Sequence, residues 1–277
     1  MRWAVTGAGG MLGVDVVDVL RSSGHDVVAL HRGDLDVRDL VACMHELKGV
    51  DVVVNAAAWT DVDGAEGDEA SAFAVNAVGA ANVARACAAH ASVLVQVSTD
   101  YVFDGTSTSP YRVDAPITPV NAYGRSKAAG EWAVRAYCDR SHVVRTAWLF
   151  GAHGTNFVST MKRLSAERET VEVVTDQLGQ PTWTVDLAVF IRDLVLSGEP
   201  PGTHHGTSSG ECSWYDLARE VFALIGSDPD RVRPTLASAV ARRAPRPSYS
   251  VLDNGGRLPD WSDAVGRAMP TLVQAPH

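Results

Sequence analysis

Short runs of apolar, often β-branched residues alternate along the first half of the chain with longer stretches where apolar residues recur every three or four positions. The first spacing predicts buried strands and the second predicts amphipathic helices. The strands are predicted at 2–6, 26–31, 51–57, 92–99 and 142–150, and the helices at 10–22, 37–47, 66–90 and 119–134. Strands joined by helices of this length form right-handed βαβ crossovers, so we expect a parallel sheet covered by helices on both faces.

The pattern changes after residue 151. Helices predicted at 157–167, 185–196 and 213–225 alternate with loops rich in Gly, Pro and Thr, and short strands are indicated at 171–174 and 203–208. We therefore expect an α/β fold: a Rossmann-type doubly wound parallel sheet in residues 1–150 and a smaller mixed α/β substrate-binding domain, mainly in residues 151–277. Segments near 184–197 and 248–253 are candidates to return to the first sheet.

Composition narrows the class of protein. The 277 residues are 46% hydrophobic and 21% charged, as in ordinary globular proteins, and no window approaches the roughly 18 uninterrupted apolar residues of a membrane span. A formal net charge of -9 disfavours a nucleic-acid surface, which needs clustered Lys and Arg. The N-terminal MRWAVTGAGG reaches glycine too early for a secretory signal. These features predict a cytoplasmic protein without nucleic-acid or membrane partners.

Local chemistry adds two observations. The four cysteines are scattered and show no metal-ligand spacing, so reduced structural thiols are expected. The stretch RVRPTLASAVARRAPRP, residues 231–247, has a local basic excess. Two interpretations of this basic stretch remain open: a solvated loop and an anion-binding segment.

The first strand runs into TGAGGMLG, with glycines at positions 7, 10 and 13 before a helix. Glycine permits a tight turn and close approach to a pyrophosphate, and a helix N-terminus offers N–H groups to the anion. We therefore predict dinucleotide contacts at Gly7, Gly10, Met11 and Leu12. Arg32 follows the second strand without an adjacent carboxylate, which favours NADPH because arginine can accept a 2'-phosphate. NADH remains an alternative, with Arg32 as a surface charge.

The stretch PVNAYGRSKAAGEWAV places Tyr123 and Lys127 on one helical face. A carbonyl that receives hydride needs a proton, and a neighbouring cation lowers the pKa of a phenol that donates it. Thr99, at a strand end, can bind the carbonyl oxygen as its negative charge develops. An isolated YxxxK is compatible with a surface pair. The order of glycine turn, strand-end threonine and YxxxK favours catalysis.

Several longer motifs span nearly the whole chain: TGAGGMLG, NAAAWTDVDGAE, STDYVFDG, YGRSK, RTAWLFG, NFV, DQLGQPT and RPSYSVLD. Together they resemble the dTDP-4-dehydrorhamnose reductase family of extended short-chain dehydrogenase/reductases. The resemblance implies NAD(P)H-dependent reduction of the C4 ketone of dTDP-4-dehydro-L-rhamnose to dTDP-L-rhamnose. Tyr123 would be the general acid, Lys127 would lower its pKa and hold the nicotinamide ribose, and Thr99 would bind the sugar oxygen.

The resemblance also implies further site residues. Cofactor contacts fall on Asp36, Val37, Ala56, Ala57, Ala58 and Thr60. Substrate contacts fall on Val62, Tyr101 and Trp148, with a core aromatic as the alternative for Trp148. Asn76 resembles the helix asparagine that organises the active-site backbone, and a simple helix contact is the alternative.

Some members of this family hold Mg²⁺ between carboxylates at a dimer contact. Asp15 matches one such position but Val185 replaces another, so no metal is expected. The expected partner is a small-molecule nucleotide sugar, and a homodimer is left open. Two alternatives to the main interpretation also stay open: a reductase of a different dTDP-4-keto-6-deoxyhexose, and a non-catalytic reductase-like regulatory subunit.

Overall fold

The computed structural model describes residues 1–274. Within them the strands, in chain order, are β1 (Arg2–Thr6), β2 (Asp26–Leu30), β3 (Val52–Asn55), β4 (Val93–Thr99), β5 (Ser141–Thr146), β6 (Leu149–Phe150), β7 (Val171–Val174), β8 (Leu178–Gly179), β9 (Thr182–Trp183), β10 (Gly202–His205), β11 (Cys212–Ser213) and β12 (Val232–Thr235). The α-helices are α1 (Met11–Ser22), α2 (Leu40–Glu46), α3 (Val62–Gly67), α4 (Glu69–Phe73), α5 (Ala80–His90), α6 (Ala122–Tyr137), α7 (Phe157–Glu167), α8 (Thr184–Leu196), α9 (Trp214–Leu224) and α10 (Trp261–Gln274).

The central sheet has six strands in the order β10-β5-β4-β3-β1-β2, and all its neighbours pair in parallel. The chain passes from β1 to β2 on one side and returns to β3 on the other, so the strand order reverses beside β1. Doubly wound sheets bind ligands outside the carboxyl ends of the strands at such a reversal. The glycine turn that follows β1 lies at this point.

The pleat of β1 shows why the sheet is covered on both faces. Trp3 and Val5 belong to an apolar cluster shared with α1 and α8, whereas Ala4, between them, belongs to a cluster shared with α5 and α6. Successive strand side chains point to opposite faces, so a continuous apolar run serves two layers. The expected α/β architecture is confirmed.

A third apolar cluster lies away from the sheet, where α7, α9 and α10 pack around the parallel pair of β7 and β12. The start of α9 is encoded locally, because Ser213 and Asp216 form a reciprocal capping box. Between these elements, α8 joins the apolar cluster of α1, and β10 pairs with β5 at the edge of the main sheet. We propose that residues 1–150 form one unit and that the described residues after 150 mainly form a second, with α8 and β10 packed on the first. The segment 248–253, also expected at the first sheet, does not join it: it forms isolated bridges with Tyr111 and Leu178.

The strand predicted over 142–150 is interrupted, and this prediction was wrong at its centre. Pairing in the main sheet stops at Thr146, and β6 pairs with β9 instead. Trp148 stands between the two strands with a left-handed φ of 46°, a conformation that a continuous strand does not contain. The break turns the chain from the sheet toward the third cluster.

The helix predicted over 66–90 is also interrupted. Asp68 ends α3 and caps α4 by accepting a hydrogen bond from the Ser71 N–H at 3.0 Å. A π-helical turn follows at Ala74–Gly79 and leads into α5. Such turns occur often beside functional sites, because they displace the side chains that follow from the regular helical register.

The segment Glu69–His90 has the length and mean hydropathy, 1.2, of a membrane-spanning helix. More than half of its apolar window, 56%, is buried inside the protein. Its alanine-rich face packs between the sheet and α6, where small side chains allow close approach of the two helices. The hydropathy of this segment therefore agrees with a place in the core.

Helix α6 is fixed to the sheet by a buried ion pair. The Glu131 carboxylate accepts hydrogen bonds from Nε and Nη2 of Arg145 on β5, at 2.9 and 2.8 Å, and from the Ser98 hydroxyl on β4 at 2.6 Å. Arg135 reaches the same carboxylate from the surface at 3.1 Å. Buried charges need such pairing, so these contacts set the position of α6 along both strands.

The two arginines on Glu131 form a matched pair for a stability test. We expect Arg145→Met to lower the free energy of unfolding by about 3–5 kcal/mol, because it leaves a buried carboxylate without its main partner. Arg135→Met is the control and should cost less than about 1 kcal/mol, because its side chain is 40% exposed. Urea denaturation of both variants measures the difference. Equal losses would contradict the role given to the buried pair.

Candidate active site

A cavity of about 940 Å³ opens at the carboxyl ends of the central strands. It is lined by all residues that the sequence assigned to cofactor or substrate: Gly7, Gly10, Met11, Leu12, Arg32, Asp36, Val37, Ala56, Ala57, Ala58, Thr60, Val62, Thr99, Tyr101, Tyr123, Lys127 and Trp148. Positions that are distant in sequence thus share one concave site, which is where ligands of this fold class bind.

The glycine turn forms one wall of the cavity. Gly7 has a left-handed φ of 68°, and a Cβ there would lie 2.7 Å from the backbone N of Ala57, so no larger residue fits. A Cβ on Gly13 would overlap the Gly7 carbonyl. Gly10 precedes α1 without a side-chain cap. The first N–H groups of α1 therefore face the cavity edge in the arrangement that binds anions.

Two arginines follow β2 at another part of the rim. Arg38 makes a bidentate pair with Asp36, with Nε and Nη2 within 2.6–3.0 Å of its oxygens. These hydrogen bonds lower the pKa of Asp36 to about 2. Arg32 makes no ion pair with any carboxylate within residues 1–274. Arg38 was not predicted as a site residue from the sequence. Its position two residues after Asp36 was the only indication of this pairing.

Lys127 is buried at the base of the cavity. Its Nζ donates a hydrogen bond of 2.7 Å to the Val97 carbonyl on β4. Burial lowers the pKa of Lys127 to about 8, and the negative charge of Glu131, one helical turn away, partly opposes this shift. The ammonium is therefore charged at neutral pH and is held against the sheet.

Tyr123 and Thr99 both line the cavity, and the Thr99 side chain partly opposes the rise in the pKa of Tyr123. The Thr99 hydroxyl also donates to the Asp100 carboxylate at 2.9 Å. Burial and the nearby Asp100 charge raise the pKa of Tyr123 well above its ordinary value. The expected lowering by Lys127 is thus not found, because burial dominates and the lysine bonds the Val97 carbonyl. The phenol carries its proton at neutral pH.

Ser98 and Thr99 are neighbours at the end of β4, and their hydroxyl groups lie on opposite sides of the strand. Ser98 points to the opposite side of the strand and donates to Glu131, whereas Thr99 faces Tyr123. This follows from the alternation of side chains along a strand. Of these two hydroxyl groups, only that of Thr99 interacts with the phenol of Tyr123.

Stacked aromatic rings form another wall of the cavity. The rings of Trp148 and Trp214 are 3.5 Å apart and nearly parallel, at 8°, and Phe157 lies against Trp214. A Cβ on Gly179 would collide with the Trp148 ring. Trp214 also lines the cavity and was missed from the sequence, where it looked like an ordinary helix start. These contacts hold Trp148 in its left-handed conformation.

Asn76 joins three parts of the site. Its amide exchanges hydrogen bonds with the backbone of Trp59, at 2.8 and 3.1 Å, and donates to the Ser126 hydroxyl on α6 at 2.9 Å. Asn76 lies in the π-helical turn and is 2% exposed. The geometry matches the expected organising contact, because it connects the loop after β3 with the helix of Tyr123.

The Asp15 carboxylate contacts two protein side chains that do not form a set of metal ligands. It accepts a hydrogen bond from the Thr184 hydroxyl, and its second oxygen lies 3.7 Å from Nε2 of His153. Within residues 1–274, no group of three or more His, Cys, Asp or Glu side chains is arranged to hold a metal ion.

The strand order, the glycine turn after β1 and the cavity define a Rossmann-type fold with a dinucleotide-type site at the reversal of strand order. Comparison with known families is more specific. The family model described as the RmlD substrate binding domain matches residues 1–271. The chain belongs to this family.

Several known proteins are similar to this chain over nearly their whole length. The chain is 49% identical to a dTDP-4-keto-6-deoxy-D-glucose reductase of Streptomyces niveus, covering 98% of this chain and 97% of that protein. It is 48% identical to a dTDP-4-dehydrorhamnose reductase of Streptomyces griseus, covering 98% and 94%. The crystal structure of the Bacillus anthracis dTDP-4-dehydrorhamnose reductase with NADP is 34% identical, with a TM-score of 0.93 over 97% of this chain and 98% of that one.

These comparisons confirm the expected family and fold class, and they confirm that the chain is an oxidoreductase. The expected nicotinamide cofactor agrees with the NADP of the Bacillus anthracis structure. The roles of the individual residues in the cavity remain predictions.

The buried ammonium gives a pH test of the site. The pKa of Lys127 is about 8 in the folded protein and about 10.4 in an unfolded chain. Between these values the unfolded state binds more protons, so this group makes stability rise with pH by roughly 1.4 kcal/mol per unit. In Lys127→Met this rise should be absent. Urea denaturation of both proteins between pH 7.5 and about 10 measures it, and parallel curves would contradict a lowered pKa.

Proposed function

We propose that this protein uses NADPH to reduce the C4 ketone of a dTDP-linked 4-keto-6-deoxyhexose. The observation that carries the proposal is the convergence of Thr99, Tyr123 and Lys127 on one cavity with the glycine turn. The names of the similar proteins support the substrate class.

Within that class, the leading substrate is dTDP-4-dehydro-L-rhamnose, which would give dTDP-L-rhamnose. The two Streptomyces relatives carry different substrate names at almost equal identity, 49% and 48%. A different dTDP-4-keto-6-deoxyhexose is therefore the second candidate, because a few contacts in the sugar pocket decide between such isomers.

The residues of the cavity fit a dinucleotide with an additional phosphate. The N-terminus of α1 and the glycine turn suit a pyrophosphate, the unpaired Arg32 suits a 2'-phosphate, and the Lys127 ammonium suits the nicotinamide ribose. The reduced cofactor, when bound, supplies hydride to the carbonyl carbon.

The protein supplies the proton and the charge stabilisation. The Tyr123 hydroxyl donates a hydrogen bond to the ketone oxygen, and the Thr99 hydroxyl donates a second one after turning away from the Asp100 carboxylate. Both bonds fix the carbonyl and stabilise its developing negative charge. Tyr123 keeps its proton at neutral pH and transfers it to the alkoxide, a much stronger base than a phenolate. The Lys127 ammonium stabilises the phenolate that remains.

The non-catalytic alternative is a reductase-like regulatory subunit. The intact set of Thr99, Tyr123 and Lys127 in the cavity weighs against it, because a protein-contact role needs none of these side chains there. A cytoplasmic location and a possible second copy as partner remain predictions from the sequence.

The proton donor is tested by Tyr123→Phe, which removes one oxygen and keeps the ring. We expect the rate of reduction of enzymatically prepared dTDP-4-dehydrorhamnose to fall by about 10²-fold or more, with NADPH binding retained. Loss of the reduced-nicotinamide absorbance measures turnover, and fluorescence titration measures binding. Unchanged turnover in the variant would reject Tyr123 as the acid. NADPH binding without oxidation by the wild type would favour the regulatory subunit.

The cofactor preference is tested by Arg32→Gln. We expect its affinity for NADPH to fall by about tenfold or more, because a charge-assisted hydrogen bond to phosphate is lost. Its affinity for NADH should hardly change, since NADH has no 2'-phosphate. Arg21→Gln, on the far end of α1, is the matched control for a change in surface charge. A wild-type preference for NADH would overturn the role of Arg32.

A further inference from the structure

Trp148, the residue at which the central sheet breaks, has one face of its indole covered by a second tryptophan. Its ring and that of Trp214 are nearly parallel, at 8°, with centres 3.5 Å apart. At this separation the atoms of the two rings are in direct van der Waals contact, so the rings lie on each other with hardly any lateral offset. No ligand reaches this face while the stack is in place.

The opposite face is covered by Gly179. A Cβ on Gly179 would lie nearest to Cε2 of Trp148 and farther from the two ring atoms bonded to it, 2.6 Å from Cζ2 and 2.8 Å from Nε1. A point in the ring plane outside Cε2 would be closer to those two atoms instead, so Gly179 approaches from above the plane. No atom of Trp214 is as close to this Cβ position, so Gly179 and Trp214 lie on opposite faces of the indole.

The two residues that enclose Trp148 are held by one pair of strands. β8, which ends in Gly179, pairs antiparallel with β11, and Trp214 directly follows β11. The capping box of Ser213 and Asp216 fixes the start of α9, where Trp214 is the first residue. Pairing between distant segments therefore builds the enclosure, and both tryptophans line the cavity.

With both faces covered, Trp148 can meet a ligand only through the edge of its indole. That edge carries Nε1–H, which is a hydrogen-bond donor only. Within residues 1–274 this N–H has no protein acceptor, and Nε1 is not one of the buried polar atoms that lack a partner, so it is open to solvent. Trp148 is partly buried and lines the cavity. The site thus contains one indole N–H that is free to bind a ligand oxygen.

We propose that Trp214 is a positioning residue for substrate binding, because its stack on Trp148 directs this N–H toward a hydroxyl oxygen of the sugar. The proposal rests on the proposed function for its substrate class. The left-handed backbone of Trp148, with a φ of 46°, is strained and persists only where surrounding contacts hold it. Without Trp214 one face of the indole is free, so Trp148 turns out of this orientation and loses the hydrogen bond to the sugar.

Calorimetric titration separates the sugar contact from the nucleotide contacts. dTDP-L-rhamnose and dTDP, which differ only in the sugar, are titrated into the protein saturated with NADP⁺. We expect Trp214→Leu to weaken binding of dTDP-L-rhamnose by about fivefold or more, because a hydrogen bond is lost. Its binding of dTDP should not change. Trp214→Phe keeps an aromatic ring against Trp148 and should restore most of the affinity for the sugar nucleotide.

Tyr215→Leu is the matched control. Tyr215 is the next residue of α9 and packs in the same apolar cluster, but it does not line the cavity. This variant should bind both ligands as the wild type does. Near-UV circular dichroism should lose the signal of the stacked indoles in Trp214→Leu and keep it in Tyr215→Leu.

Turnover gives a second readout. Trp214→Leu should raise KM for the ketone substrate by the factor seen in the titration and hardly change kcat, because the side chains of Thr99, Tyr123 and Lys127 are left in place. A variant that had only lost stability would show lower kcat and weaker dTDP binding as well.

Any of three results rejects the positioning role: unchanged affinity of Trp214→Leu for dTDP-L-rhamnose, an equal loss of its affinity for dTDP, or an equal loss in Tyr215→Leu. The titration needs no turnover. If dTDP-L-rhamnose binds in a Trp214-dependent manner but the wild type does not reduce the ketone, the proposed function fails while the positioning role stands. Normal reduction by Trp214→Leu with an unchanged KM would reject the positioning role alone.

Discussion

The buried carboxylate of Glu131 determines where the reactive end of α6 lies. Ser98 on β4 and Arg145 on β5 both bond it, so the helix cannot slide or rotate on the sheet without leaving a charge unpaired. Lys127 lies one turn earlier on the same face and bonds the Val97 carbonyl, and Tyr123 lies one turn before that, beside Thr99. A structural ion pair, a cation and a protonated phenol thus occupy three successive turns of one helix.

The same burial that fixes these groups sets their protonation. Desolvation lowers the pKa of Lys127 to about 8 and raises that of Tyr123, so both groups carry their protons near neutrality. For the reduction of a ketone this is the useful state, because the phenol must begin with a proton and end beside a positive charge. The pKa of Tyr123 is set by burial and by the Asp100 charge, and not by the lysine as expected.

The cavity forms where the central sheet meets the third apolar cluster. The backbone passes from one to the other at Trp148, a residue with irregular geometry. Trp148 interrupts the strand predicted over 142–150, takes a left-handed backbone and stacks on Trp214. Its cost in backbone strain is of the order of 1–3 kcal/mol, and the contacts with Trp214 and Gly179 hold it in place. The break joins the sheet to the third apolar cluster, so that residues from both sides line the same site.

The sequence by itself determined the regular sheet and the positions of the main chemical groups. Strands such as β1 were predictable because their apolar runs are local, and so was the glycine turn, because Gly7 needs a backbone that other residues avoid. Contacts between distant segments were not predictable. The stacking of Trp214 on Trp148, the addition of β10 to the sheet edge and the raised pKa of Tyr123 depend on which surfaces meet and how much water they exclude. Tertiary packing decides these contacts and this pKa, because the local sequence pattern around a side chain does not indicate which distant side chain it will contact.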